Sequence, residues 1–207
     1  KIMGQEVVEI WHKDTDLQEC DFIILPGGFS FGDYLRSGAI AKLSPIMTEI
    51  IGFANAGGYV MGICNGFQIL TESGLLPGAL LHNDSHKFIC KNTYLNAETK
   101  KTLVTNQYAK NAIKIPIAHG EGKYFADEKT IKSLIQNDQI LFKYCDENGD
   151  ITEQANPNGS LLHIAGICNA DRNVFGMMPH PERAADKELN NQDGLTLFKS
   201  ILAEIQL

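Results

Sequence analysis

A chain of 207 residues, 43% hydrophobic and 21% charged, is long enough for one sizeable core and too mixed in composition to be disordered or fibrous. A formal charge of −7 gives a surface that repels nucleic-acid phosphates and anionic lipid, so neither is an expected partner. No apolar run approaches the roughly 18 residues of a membrane-spanning helix, and no signal-peptide pattern opens the sequence.

In chain order, Lys1-Ile-Met-Gly4 reads as the end of a helix and Val7–Trp11 as the strand that follows it. A doubly wound sheet ordinarily opens with a strand before that helix, so a further N-terminal strand is expected ahead of this numbering. Apolar runs suited to buried strands then recur at Phe22–Pro26, Tyr59–Ile63, Ile113–Ala118, Ile140–Tyr144, Ile164–Asn169 and Val174–Met178. Helical patterns lie between several of them, at Pro45–Ala54, Phe67–Ser73, Lys129–Gln136 and Leu195–Ile205. This alternation predicts an α/β fold with a mostly parallel, doubly wound sheet of the flavodoxin-like type. The middle, roughly residues 79 to 125, is rich in strand patterns and predicts a small antiparallel annex. No linker, repeat or charge block divides the chain, which reads as one domain over residues 1–207.

The cysteines Cys20, Cys64, Cys90, Cys145 and Cys168 are odd in number and form no C-x-x-C pair. Reduced thiols in a cytoplasmic setting follow more simply than a disulfide framework or a zinc site. Two Asn-x-Ser sequons, at Asn83 and Asn158, carry no weight in that compartment. Only Cys64 has distinctive surroundings. Gly62-Ile-Cys-Asn-Gly66 places it at a strand-to-helix junction in a G-x-C-x-G pattern, the nucleophile-elbow arrangement with sulfur in place of a hydroxyl. Flanking glycines let the chain turn tightly, and the N–H groups opening the next helix favour a thiolate or an oxyanion. A buried structural thiol is the bland alternative for Cys64, and it is the reading given to the other four.

A thiol nucleophile needs a base. Met177-Met-Pro-His-Pro-Glu-Arg183 follows a predicted strand, its prolines stiffening the turn that carries His180. Glu182, two residues on, can fix the tautomer of that imidazole. His82 and His86 have the i, i+4 spacing of a metal pair, but Asn-Asp-Ser between them is poor helix material and no third ligand is evident, so no metal is expected. His119, in Ala118-His-Gly-Glu-Gly122, sits in a glycine-rich turn suited to binding. Leu25-Pro-Gly-Gly-Phe-Ser-Phe-Gly-Asp33 exposes backbone N–H groups around Gly27 and Gly28, suited to a phosphate or a developing oxyanion. It lacks the G-K-[ST] ending of a P-loop and the G-x-G-x-x-G of a dinucleotide site.

The segments LPGGFSFGDYLRSGAIA (25–41), GICNGFQIL (62–70), LLPGALLHNDSHKFIC (75–90), IPIAHGEG (115–122), GMMPHPERA (176–184) and DGLTLF (193–198) together resemble the class I, or triad, glutamine amidotransferases. The forms GGFSFGDYLRSGA and MMPHPERA are more narrowly similar to the glutaminase subunits that serve purine biosynthesis. The resemblance implies Cys64 as nucleophile, His180 as acid/base and Glu182 as its orienting partner. It implies an oxyanion hole from the N–H groups of Gly28 and Asn65 beside Gly27. Gln68 and the Gly120-Glu121 backbone would hold the amino-acid end of L-glutamine. It further implies no cofactor in this chain. ATP and Mg would sit on a large synthase subunit, joined by a small accessory subunit, that converts formylglycinamide ribonucleotide to its amidine with the ammonia released here. Cysteine hydrolases of the intracellular-protease and deglycase type share the elbow, but their histidine usually follows the cysteine, where this chain has Asn65.

Overall fold

The computed structural model describes residues 3–109 and 112–205. Its elements are β1 (Phe22–Leu25), α1 (Pro45–Asn55), β2 (Tyr59–Ile63), α2 (Asn65–Glu72), β3 (Ala79–Leu81), β4 (Ile89–Ala97), β5 (Ile113–His119), β6 (Lys123–Phe125), α3 (Glu128–Gln136), β7 (Ile140–Cys145), β8 (Ile164–Cys168), β9 (Val174–Met177) and α4 (Leu195–Ile205). The main sheet runs β1-β2-β9-β8-β7-β4-β5, while β3 and β6 form a separate antiparallel pair.

The α/β class and the antiparallel annex are as the sequence indicates, and two features differ in detail. The main sheet is mixed: β1–β2 and β2–β9 are parallel, and the pairings from β9 through β8, β7 and β4 to β5 are antiparallel. For β8 and β9 the connection dictates this. Parallel neighbours need a crossover of roughly a dozen residues or more, and residues 169–173 between β8 and β9 are too few. The annex is also smaller than expected, because β4 and β5 join the main sheet and leave only β3 and β6 outside it.

The strand expected at Val7–Trp11 is not formed. An apolar run becomes a strand only with a ladder partner, and this segment has none among the described residues. Instead Trp11 closes a turn with Asp14, Ile10 packs against the core, and Val7, Val8 and Trp11 stay exposed. The helix end expected at Lys1–Gly4 begins outside the described residues.

Every residue of β8 and β9 is buried, as is β2 beyond Tyr59, so the centre of the sheet is covered on both faces. α1 starts with Pro45 in its first turn, where a missing N–H costs nothing, and buries Ile46, Met47, Ile50 and Ala54 along one stripe. α2 lies so close to the sheet that a side chain at Gly176 would collide with the Phe67 ring. α3 is capped by Asp127, whose carboxylate accepts the Thr130 N–H at 2.7 Å. Among the described residues no helix is long and apolar enough to cross a membrane.

Candidate active site

The parallel strands β1, β2 and β9 end nearly level, with Leu25 opposite Gly62 and Ile63 opposite Met177. The residues just past these ends therefore share one rim of the sheet, where open α/β folds bind ligands. Gly27 and Gly28 follow β1, Cys64 follows β2, and His180 follows β9. Cys64 has φ 52° and ψ −106°, a strained conformation for a residue with a side chain. Its N–H donates to the Met177 carbonyl at 2.8 Å, and its own carbonyl accepts the Gln68 N–H at 3.1 Å. The elbow glycines are sterically required. A side chain at Gly62 would strike the Gly66–Phe67 backbone, and one at Gly66 would strike the Leu25 carbonyl.

His180 is buried and its backbone N–H donates to the Pro116 carbonyl at 2.8 Å, which docks the turn on β5. Its Nδ1 lies 2.6 Å from Glu182 Oε1. A carboxylate only accepts, so Nδ1 carries the proton and Nε2 has the lone pair while the ring is neutral. That Nε2 is buried with no hydrogen-bond partner among the described residues. A Cβ at Gly27 would lie 2.6 Å from His180 Cε1 and 3.5 Å from Cys64 Cβ. The imidazole and the thiol thus flank the same glycine without being hydrogen-bonded to each other. The thiol instead donates to the Ala118 carbonyl at 3.7 Å.

Helix-terminal N–H groups were expected to favour a thiolate; the Asn65 N–H acts in that direction, but burial opposes it and is the larger effect. Burial pushes the Cys64 thiol up to about 12, outweighing the opposing Asn65 N–H and Arg183 charge. Removing water from the sulfur disfavours its anion more than one helix start stabilises it.

Gly28, Cys64, Gln68, Gly120 and Glu121 all line one cavity of about 160 Å³, well below the roughly 300–1,000 Å³ typical of drug-sized ligands. Asn65 stands behind the wall: its Oδ1 accepts the Ser30 N–H at 3.3 Å and its Nδ2 donates to Gln68 Oε1 at 2.8 Å. Gln68 Nε2 in turn donates to the Glu121 carbonyl at 2.6 Å. Both ends of the Gln68 amide are therefore engaged within the protein, tying the elbow helix to the turn after β5. The Glu121 carboxylate accepts the Ser37 N–H at 3.1 Å and lies 3.4 Å from His82 Nδ1. Burial, and then the Glu121 charge, raise the Asp33 carboxyl above its usual range.

Sequence reading missed Phe29, Asp33, Ser37, Phe88 and the Ala118 carbonyl as parts of this wall. All five lie in segments that carry the family resemblance, which was the available signal; no residue pattern around Phe88 marks it further, and its ring meets that of Phe29 at 6.0 Å. His119 lines the cavity as its turn suggested. His82 and His86 rings are 6.1 Å apart, and among the described residues no cluster of three metal-ligating side chains exists. Asn83 and Asn158 are buried, out of reach of any glycosylating enzyme. Cys145 and Cys168 are buried and Cys20 partly so, but Cys90 is exposed on β4, so the buried reading does not hold for it.

A fold with a thiol elbow and a His-x-Glu turn on one sheet rim defines a class, and comparison assigns it. Residues 4–199 match the CobB/CobQ-like glutamine amidotransferase domain; the chain belongs to this family. More particularly, it is 56% identical over 200 residues to phosphoribosylformylglycinamidine synthase subunit PurQ of Synechocystis, with 96% of this chain and 89% of that protein covered. The same subunit of Koribacter versatilis is 52% identical, with 98% and 88% covered. The PurLQS structure from Thermotoga maritima matches at a TM-score of 0.80 and 45% identity, over 93% of this chain and 83% of the other. The glutaminase domain of a Trypanosoma brucei CTPS, at a TM-score of 0.60 and 12% identity, shares the fold.

Proposed function

We propose that this chain is the glutaminase subunit of a phosphoribosylformylglycinamidine synthase. It hydrolyses L-glutamine and delivers ammonia to an ATP-dependent synthase that makes formylglycinamidine ribonucleotide in purine biosynthesis. The observation that carries the reading is the single cavity bordered by the Cys64 elbow, with His180 held against Glu182 on the other side of Gly27, in a chain half or more identical to PurQ subunits. ATP and Mg belong to the large partner subunit, a small accessory subunit completes the complex, and the setting is cytoplasmic.

The chemistry follows from the groups present. When glutamine fills the cavity, rotation of the Cys64 side chain away from Ala118 brings its proton to His180 Nε2, and the sulfur attacks the carboxamide carbon. Deprotonation within the encounter suits a thiol whose resting pKa is high, because the buried anion forms only as it is consumed. The N–H groups of Gly28 and Asn65 stabilise the oxyanion. His180 gives its proton to the departing nitrogen, the C–N bond breaks, and a glutamyl thioester remains. Water activated by His180 cleaves that C–S bond to give glutamate and restore the thiol. Glu182 holds the imidazole tautomer and stabilises its cation throughout.

The test is release of ammonia and glutamate from glutamine by wild type and Cys64→Ser, each alone and with the synthase partner. Wild type should be weak alone and rise strongly in the complex, while Cys64→Ser should lose at least ~10³-fold in the complex, the scale of losing a covalent nucleophile. Equal turnover by the two proteins would remove the nucleophile assignment.

A further inference from the structure

We propose that Asn83 is a positioning residue for the glutamine cavity: one buried carboxamide holds the His119–Gly122 turn in shape and locks His119 in its Nδ1–H tautomer. The inference rests on the glutaminase reading above.

Asn83 has no solvent exposure. Its Nδ2 donates to the Lys87 carbonyl at 2.8 Å and the His119 carbonyl at 2.9 Å. Its Oδ1 accepts the Gly122 N–H at 3.1 Å and lies 3.0 Å from His119 Nδ1. Its backbone N–H donates to the Gly120 carbonyl at 2.9 Å. Both amide protons and both oxygen lone pairs are used, the full capacity of the group. The amide cannot be reversed, because a flip would set its NH₂ against the Gly122 N–H and its oxygen against two carbonyls. Oδ1 is therefore the atom facing the imidazole, and it only accepts. His119 Nδ1 must carry the proton, which leaves a lone pair on Nε2.

That Nε2 is buried without a hydrogen-bond partner among the described residues, in a side chain that borders the cavity. Burial, with the nearby His180, holds the His119 imidazole down at about 4, so it is neutral at working pH. Two further amides grip the same turn. Gln68 holds the Glu121 carbonyl, and Asn158 Nδ2 donates to the Gly122 carbonyl at 2.8 Å. Asn83 alone reaches His119, Gly120 and Gly122 together, three of the four residues. Gly120 and Glu121 line the cavity, whereas Cys64, His180 and Glu182 stand on other loops. Loss of the Asn83 clamp should thus weaken glutamine binding and leave the bond-breaking groups in place.

The test uses the full chain assembled with its synthase partner. Asn83→Asp keeps the two accepted hydrogen bonds and loses the two donated ones. It should raise the KM for glutamine by ~10- to 100-fold, the cost of unsatisfied buried carbonyls, with kcat held within ~3-fold. Synthesis supported by added ammonia should be unchanged. Nitrogen-15 spectra of wild type should show His119 as a single Nδ1–H tautomer. An unchanged KM in folded Asn83→Asp, or a fall in kcat at constant KM, overturns the proposal. So does a His119 signal of the Nε2–H form or of a mixed population, and this spectrum decides the matter even if the variant does not fold. If the wild-type complex releases no glutamate from glutamine, the glutaminase reading fails, and the spectrum still reports separately on the clamp.

Discussion

Around the elbow, Ile63, Cys64, Asn65, Phe67 and Gln68 are all buried, whereas in the glycine-rich loop that also borders the cavity Phe29, Phe31, Tyr34 and Leu35 are exposed. Both regions contain strained backbone: Cys64 in the elbow, and Phe31, Asp33 and Leu35 in the loop, have positive φ. At the elbow, the strain is imposed by surrounding backbone that leaves no alternative, with Gly62 against Gly66 and Gly66 against Leu25. In the loop it is held by scattered tethers. These are the Ser30 and Ser37 N–H groups and an ion pair of 2.5 Å between the half-exposed Arg36 and the nearly buried side chain of Glu72. A strained conformation persists only where its surroundings over-determine it. One wall of the site is set by packing and the other by a few polar ties.

Identical substitutions should therefore have unequal costs. Gly66→Ala drives a methyl into the Leu25 carbonyl and should cost ~3 kcal/mol or more in urea unfolding, since backbone on both sides blocks relief. The turn under the cavity belongs with the elbow. Because His119 is held neutral by burial, its depressed pKa contributes stability that is present above its ordinary 6.5 and lost as pH falls through about 4. That loss amounts to at most ~3 kcal/mol, and unfolding free energies measured across this window should show it, with a flatter profile in His119→Asn. Gly32→Ala is the smallest. The residue has φ +67°, and its nearest neighbour is the exposed Tyr34 ring at 3.1 Å, which can move aside. Only the left-handed backbone is penalised, by ~1 kcal/mol. Equal costs at Gly66 and Gly32 would erase the distinction between the two walls.

What was legible in the sequence follows the same division. The elbow could be read because its demand is local: a strand, a tight turn and a helix need small residues at fixed offsets from Cys64. His180 and Glu182 could be paired because two residues of a stiff turn separate them. The directions of β8 and β9 depend on the short connection at residues 169–173, which apolar periodicity does not report. Val7–Trp11 satisfied a strand pattern but has no ladder partner among the described residues. The raised thiol pKa was not legible because the helix start is visible locally while desolvation by the whole core is not. Asn83 looked like a chance sequon, since the carbonyls and N–H it clamps lie mainly after β5 and nothing in Asn-Asp-Ser points to them.

The most direct test of the site is to quench the complex in acid while it turns over isotopically labelled glutamine and to map the label by peptide mass spectrometry. The expected result is a glutamyl group on the peptide containing Cys64, absent in Cys64→Ser. Continued glutamate release with no label on Cys64, or with label on another cysteine, would contradict it.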